Sequence, residues 1–117
     1  MLVKLLLDQT IDFGIRQLAG VLFKQYVEIH WYVNSEKFKE PELQHEFKVK
    51  IKQLLPLGLA DQQSKIRVTV AYAIATIAHW DWPELWPELF PTLMQTLSGN
   101  DLNAIRGSIK TLSGELK

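Results

Sequence analysis

The chain has 117 residues, with thirteen basic and thirteen acidic side chains and no cysteine. Because the formal charge is zero, no net field attracts nucleic acid or an anionic membrane surface, and neither is expected as a partner. The lack of cysteine excludes a disulfide framework, a thiolate metal site and a cysteine nucleophile. A hydrophobic content of 47% is ordinary for a folded domain and argues against disorder.

The leucine-rich start of the chain is interrupted by Asp8 and has no small-residue cleavage site. We interpret it as the end of a truncated helix rather than as a signal peptide. Apolar residues then recur at steps of three and four, which predicts a second helix from about Asp12 to Val33. Its predicted buried face consists of Ile15, Leu18, Ala19, Leu22, Tyr26, Ile29 and Val33.

A polar loop over residues 34–40 leads into a second predicted helix pair. Pro41 is expected in the first turn of a helix that breaks near Pro56 and Gly58. A further helix is predicted from about Ser64 to His79, with Ser64 or Asp61 capping its amide end. The predicted inward-facing residues are Leu43, Phe47, Ile51, Leu54 and Leu55 on one helix, and Ile66, Val70, Ala73, Ile74 and Ile77 on the other.

Three prolines spaced four residues apart begin the last predicted pair. Pro83 is expected in a turn, and Pro87 or Pro91 in the opening turn of a helix that carries Leu93, Met94 and Leu97. Residues 98–101 predict a helix stop followed by a new cap. The last helix is predicted to bury Leu102, Ile105, Ile109, Leu112 and Leu116.

The chain is therefore predicted to be all-α, as an alpha-alpha superhelix of the HEAT or armadillo type. We predict a truncated first pair over 1–33, a second pair over 41–79 and a third over 83–117, forming one repeat fragment of a larger protein. The same short pattern recurs at the turn into the second helix of each pair. An Asp that can cap the helix precedes an Arg that can reach the Asp of the next repeat, which predicts a ladder of paired charges. Its members are Asp12, Arg16, Asp61, Arg67, Asp101 and Arg106.

No residue set predicts an active site, a metal site or a cofactor site. His30, His45 and His79 lie on three predicted helices and lack the spacing of four that one-face metal ligation needs. Glu84 and Glu88 are explained by their favourable position in a first helical turn. We therefore predict a protein that binds other proteins and is not an enzyme.

Trp80, Trp82 and Trp86 crowd into seven residues at a turn. They are expected to pack the corner between two repeats, with their indole N–H groups donating to backbone carbonyls. An aromatic contact surface for a partner is the alternative. The outward faces of the second helices hold a further set of mixed polarity: Lys24, Glu28, Trp31, Lys65, Thr69, Tyr72, Thr76, Asn103, Gly107 and Lys110.

Three segments resemble a known family. Residues 15–31, with an Arg and Ala, then a Leu-x-Lys, then a Trp, resemble the second helix of the importin-β (karyopherin-β) amino-terminal domain. Residues 64–89, including the tryptophan turn, resemble the importin-9 branch of that family, and residues 101–107 extend the match.

The resemblance implies a nuclear transport receptor built from HEAT repeats, shuttling between cytoplasm and nucleus through the nuclear pore. Its expected partners are Ran in its GTP form and, for the whole protein, basic cargo such as core histones and ribosomal proteins. Direct contact with nuclear pore proteins is left open. Lys24 matches a family motif residue, and Glu28, Lys65, Thr69, Tyr72, Thr76, Asn103 and Lys110 join it in the expected Ran-binding face through helix phase. A HEAT-repeat scaffold unrelated to transport is the alternative.

Overall fold

The computed structural model describes residues 2–115. Within that range the regular structure is entirely helical, and no residue lies in a β-strand. The helices are α1 (Leu2–Leu7), α2 (Phe13–His30), α3 (His45–Leu54), a 3₁₀ helix (Leu55–Ala60), α4 (Ser64–Asp81), α5 (Leu89–Leu97) and α6 (Leu102–Glu115). The predicted all-α, HEAT-type fold class is confirmed.

The helices form two layers. In one layer α4 lies between α2 and α6 and packs against both. In the other layer α1 packs on α2, α5 packs on α6, and the 3₁₀ helix packs under α4 and α6. Each second helix of a pair therefore lies beside the second helix of the next pair, which is how stacked helical repeats bury a continuous core. The residue limits of the three pairs stay a prediction.

Helix α4 supplies the centre of the core. Every residue that the sequence predicted to face inward on this helix is buried: Ile66, Val70, Ala73, Ile74 and Ile77. Gly58 allows the 3₁₀ helix to approach α4, since a Cβ there would lie 2.7 Å from Val70. The predicted helix break near Pro56 and Gly58 is this 3₁₀ helix.

The predicted buried face of α2 is largely wrong: Ala19 is buried, but Val33 after the helix end is 51% exposed. Ile15, Leu18, Leu22 and Tyr26 are exposed, Leu18 by 60%. A second stripe is buried instead, formed by Arg16, Ala19, Gly20, Phe23 and Val27. Two stripes of apolar residues share this helix, and steps of three and four fit both of them.

Four smaller predictions are also corrected. Pro41 lies in the irregular segment before α3, which begins only at His45, so it occupies no first turn. On α6, Leu102 and Ile109 are exposed, whereas Ser108 and Thr111 are buried. Phe47 of α3 is 40% exposed. Leu116 lies outside the described residues.

The helix starts and stops in the carboxyl-terminal part agree with prediction. Pro83 lies in a turn and Pro91 in the opening turn of α5. The segment after Leu97 ends α5, and Asp101 accepts hydrogen bonds from the Asn103 and Ala104 amides at the start of α6. Among the described helices, none is both long enough and apolar enough to cross a bilayer.

Candidate binding surface

The outward faces of α2 and α4 bring several of the expected Ran-binding residues together. The Lys24 ammonium of α2 lies over the Tyr72 ring of α4, 4.5 Å from the ring centroid. Tyr72 is 51% exposed, whereas Lys24 is half-buried along its stem. A lysine ammonium over an aromatic face is attracted by the electron-rich ring. The two side chains therefore join the adjacent helices on one accessible surface.

Four further members of that set lie on the same two helices: Glu28, Lys65, Thr69 and Thr76. The Thr69 and Thr76 hydroxyls each donate to a carbonyl of their own helix, at Lys65 and Tyr72, both at 2.9 Å. Their methyl groups are therefore turned away from the backbone. Thr69 lies against Gly20, where a Cβ on the glycine would come within 2.8 Å of the Thr69 methyl. This close approach sets the spacing between α2 and α4.

The α6 members lie farther along the layer. Lys110 is exposed and Asn103 is half-buried, and Lys65 at the start of α4 is exposed as well. Gly107, placed on the outward face by the sequence analysis, is buried instead, because it packs against the Leu59 backbone. Lys110 shares a small cleft of about 150 Å³ with Arg67 and Arg106 between α4 and α6.

The predicted charge ladder has one buried contact between repeats. Arg16 of α2 donates two hydrogen bonds to the Asp61 carboxylate, and its Nε donates to the Leu6 carbonyl at 3.0 Å. Both side chains are nearly fully buried, at 3% and 2% exposed. Asp61 also accepts the Gln63 amide at 2.9 Å. Bidentate geometry and extra hydrogen bonds are what a buried ion pair needs to offset its desolvation.

The other arginines of the ladder behave differently, and here the prediction needs correction. The Arg67 guanidinium donates to the carbonyls of Asp61 and Gln62, at 2.7 and 3.2 Å, within its own repeat. It makes no hydrogen bond to Asp101. Arg106 is exposed. Asp12 and Asp101 both cap helices, Asp12 through the Gly14 and Ile15 amides.

A second buried polar cluster was missed by the sequence analysis. The Trp31 indole N–H donates to Asp81 at 3.0 Å, and the Lys52 ammonium lies 2.8 Å from the same carboxylate oxygen. Lys52 also donates to the Leu85 carbonyl at 2.7 Å. Trp31, expected on the outward face, is only 1% exposed. The cluster joins three helices to the tryptophan turn.

The three tryptophans of that turn have different environments. Trp86 is 3% exposed and packs in the core under Lys52. Trp82 and Trp80 are half-buried, with Trp82 tilted against Phe90 and Trp80 stacked on Tyr32. Among the described residues, the indole N–H that finds a protein acceptor is that of Trp31, and the acceptor is a carboxylate rather than a backbone carbonyl.

Potential metal ligands are dispersed. Within residues 2–115 no group of three His, Asp or Glu side chains is close enough to hold an ion. The Nδ1 atom of His30 lies 2.9 Å from the carbonyls of Lys39 and Pro41, so this ring fixes the loop after α2. The accessible chemistry of the surface is therefore that of recognition through aromatic, hydroxyl and charged side chains.

Comparison with known proteins identifies the family. The model of the importin-beta N-terminal domain matches residues 1–61, just over half of the chain. Importin-9 of Drosophila melanogaster is 35% identical over 114 residues, which is 95% of this chain. The chain spans only 11% of the length of that relative. The resemblance seen in the sequence is thereby confirmed: the chain belongs to the importin-β family and carries its amino-terminal domain.

Proposed function

We propose that this chain is the Ran-binding amino-terminal segment of a nuclear transport receptor, and that it binds without performing catalysis. Family membership supports the transport role. The observation that carries the proposed site is the contact of Lys24 with Tyr72 across α2 and α4, since it unites two expected residues on one accessible surface.

The proposed Ran-binding face extends over the outward sides of α2, α4 and α6. It contains three lysines and one glutamate, with hydroxyl, amide and phenol groups between them, so it offers both charge and hydrogen bonding to a protein partner. Its members are Lys24, Glu28, Lys65, Thr69, Tyr72, Thr76, Asn103 and Lys110.

In the whole protein, this segment would couple Ran in its GTP form to the import of basic cargo, such as core histones and ribosomal proteins. The protein would then shuttle between cytoplasm and nucleus through the nuclear pore. Because the chain spans only 11% of the length of its relative, we expect cargo to be bound largely by other repeats.

Titration against Ran tests this proposal. We expect binding to Ran loaded with a non-hydrolysable GTP analogue and much weaker binding to the GDP form. Lys24→Glu places a negative charge beside Tyr72 and should weaken binding about tenfold, equivalent to about 1.4 kcal/mol. Calorimetry or fluorescence anisotropy gives the two affinities.

Lys50→Glu provides the matched control, because Lys50 is an exposed lysine of α3, which carries no member of the proposed Ran-binding face. It makes the same charge change and should leave the affinity unaltered. Equal losses in both variants would refute the assignment of the face. Binding to neither nucleotide state would favour a HEAT-repeat scaffold unrelated to transport.

A further inference from the structure

An open cleft of about 530 Å³ lies at the carboxyl ends of α2 and α4, beside the loop that follows α2. One wall consists of Tyr32 and Trp80, and the other carries Glu28, Glu36 and Lys37. Apart from Glu28, none of these residues belongs to the proposed Ran-binding face. The cleft therefore offers a second surface that shares only Glu28 with that face and carries both aromatic and acidic groups.

The aromatic wall is preorganised. The Tyr32 and Trp80 rings are stacked, with centroids 5.6 Å apart and planes at 21°, and Tyr32 is 37% exposed. Both residues are chain neighbours of the buried cluster. Tyr32 directly follows Trp31, and Trp80 directly precedes Asp81. The hydrogen bond from the Trp31 indole to the Asp81 carboxylate fixes the two chain segments at the base of the cleft. A ligand that contacts the pair therefore needs to order little of the protein.

The acidic wall already holds a cation. The Lys37 ammonium lies 3.4 Å from the Glu28 carboxylate, and the Lys37 side chain is 70% exposed. An exposed ion pair of this kind contributes little free energy, so a competing cation can displace it. Glu36 supplies a second carboxylate beside the same space. Lys37 and His79 also line the cleft. Once the Lys37 ammonium is displaced, the two carboxylates favour an incoming positive charge over phosphate.

We propose that this cleft binds an arginine side chain from a basic segment of a partner protein. The guanidinium would stack on the Tyr32–Trp80 pair and donate to Glu28 and Glu36 in place of the Lys37 ammonium. Arginine fits better than lysine, because its planar head combines stacking with a fork of donors for carboxylates. The inference goes beyond Ran binding and does not depend on it.

Nuclear magnetic resonance of the indole N–H groups tests the site directly. The probe is a capped peptide with one arginine between glycines, and the control peptide carries citrulline, which keeps the shape but loses the charge. We expect the Trp80 indole signal, identified through Trp80→Phe, to shift with the arginine peptide and to stay still with citrulline. The buried Trp31 and Trp86 signals should not move.

Substitutions of residues that line the cleft give a second test of arginine binding. Lys37→Met removes the resident cation and should tighten binding roughly threefold, in line with the weight of an exposed ion pair. Glu36→Gln and Tyr32→Leu should weaken it, while Glu84→Gln, an exposed glutamate elsewhere, should have no effect. A Trp80 signal that ignores the arginine peptide, or that responds equally to citrulline, overturns the proposal. Neither result bears on Ran binding, because Glu36 and Tyr32 lie outside that face.

Discussion

The junction between the first two helix pairs and the junction between the second and third are built differently. At the first, Arg16 and Asp61 form a buried ion pair that also holds the Leu6 carbonyl. At the second, Gly107 of α6 lies against the Leu59 backbone, so close that a Cβ would come within 2.5 Å of the Leu59 oxygen. The same order of an Asp followed by an Arg thus accompanies two different means of packing neighbouring repeats.

The difference shows that a repeated pair of residue types does not guarantee a repeated contact. Arg16 enters the core because its helix presents it to the chain turn that holds Asp61. Arg67 instead satisfies carbonyls of its own turn. At the second junction, close contact between the α6 backbone and the Leu59 backbone packs the two repeats in place of a buried ion pair. That contact requires glycine, which has no side chain.

The largest expected effect comes from breaking the first junction. Arg16→Met keeps an unbranched apolar stem but leaves the Asp61 carboxylate buried without its charged partner. Removal of one member of a buried pair costs about 3–5 kcal/mol, a large part of a typical domain stability. Urea unfolding followed by circular dichroism should show this loss in the free energy of unfolding.

Two further variants test whether that loss of stability comes from the buried ion pair. Arg106→Met removes the exposed arginine of the third repeat and should change the free energy of unfolding by less than about 0.5 kcal/mol. Asp61→Asn in an Arg16→Met background removes the unpaired buried charge and should restore much of the lost free energy of unfolding. An equal loss in the Arg16 and Arg106 variants would contradict the contrast between the junctions.

An intermediate effect is expected from Gly107→Ala at the second junction. The added methyl group meets a backbone oxygen, which cannot rotate away as a side chain would. We expect an overpacking cost of about 3 kcal/mol to outweigh the gain of about 1 kcal/mol in helix propensity, for a net loss of about 2 kcal/mol.

Lys110→Ala is the control for that measurement, since Lys110 is an exposed residue of the same helix. Its thermal unfolding midpoint should stay close to that of the parent chain. If Gly107→Ala were as stable as Lys110→Ala, close backbone contact could not be what joins the last two pairs.

The smallest effect concerns an exposed carboxylate at the first junction. The Thr10 hydroxyl and amide donate to Asp8 and, with a smaller contribution from Arg16, hold the pKa of Asp8 below its ordinary value. This lowered pKa stabilises the fold above the unfolded pKa of Asp, and the contribution is lost as the pH falls through the folded pKa.

Thr10→Val should therefore raise the pKa of Asp8 toward its ordinary value, which carbon-detected titration of the carboxyl group would measure. Thr92→Val, at an exposed threonine of α5, serves as the control and should leave the Asp8 titration unchanged. An unaltered pKa in Thr10→Val would show that the hydroxyl is not the main cause of the depression.

Sequence periodicity predicted most accurately the helix that is buried on most sides. On α4, the predicted stripe is the buried stripe, because a central helix carries its apolar residues where neighbours cover it. On α2 the periodicity fits two faces, and the choice between them depends on a buried arginine whose partner lies 45 residues later in the chain. The charge-ladder pattern predicted this partner for Arg16, but the hydrophobic periodicity by which the buried face was chosen does not include charged residues.

The contacts of the candidate binding residues were likewise not predictable from local sequence. Lys24 could be selected through its place in a family motif, but its contact with Tyr72 depends on the packing of two helices. Nothing in the sequence indicated that Lys52 would belong to a buried cluster, because a lysine on an amphipathic helix normally faces solvent. Its burial requires Asp81 and the Leu85 carbonyl, which the tryptophan turn supplies only in the folded chain.

The cluster of Trp31, Lys52, Asp81 and Leu85 also has a consequence for the order of events on the ribosome. Trp31 is synthesised 50 residues before the carboxylate that receives its indole N–H. Until Asp81 has left the exit tunnel, the first helix pair therefore cannot complete its own packing. The first helix pair thus completes its packing only together with the second.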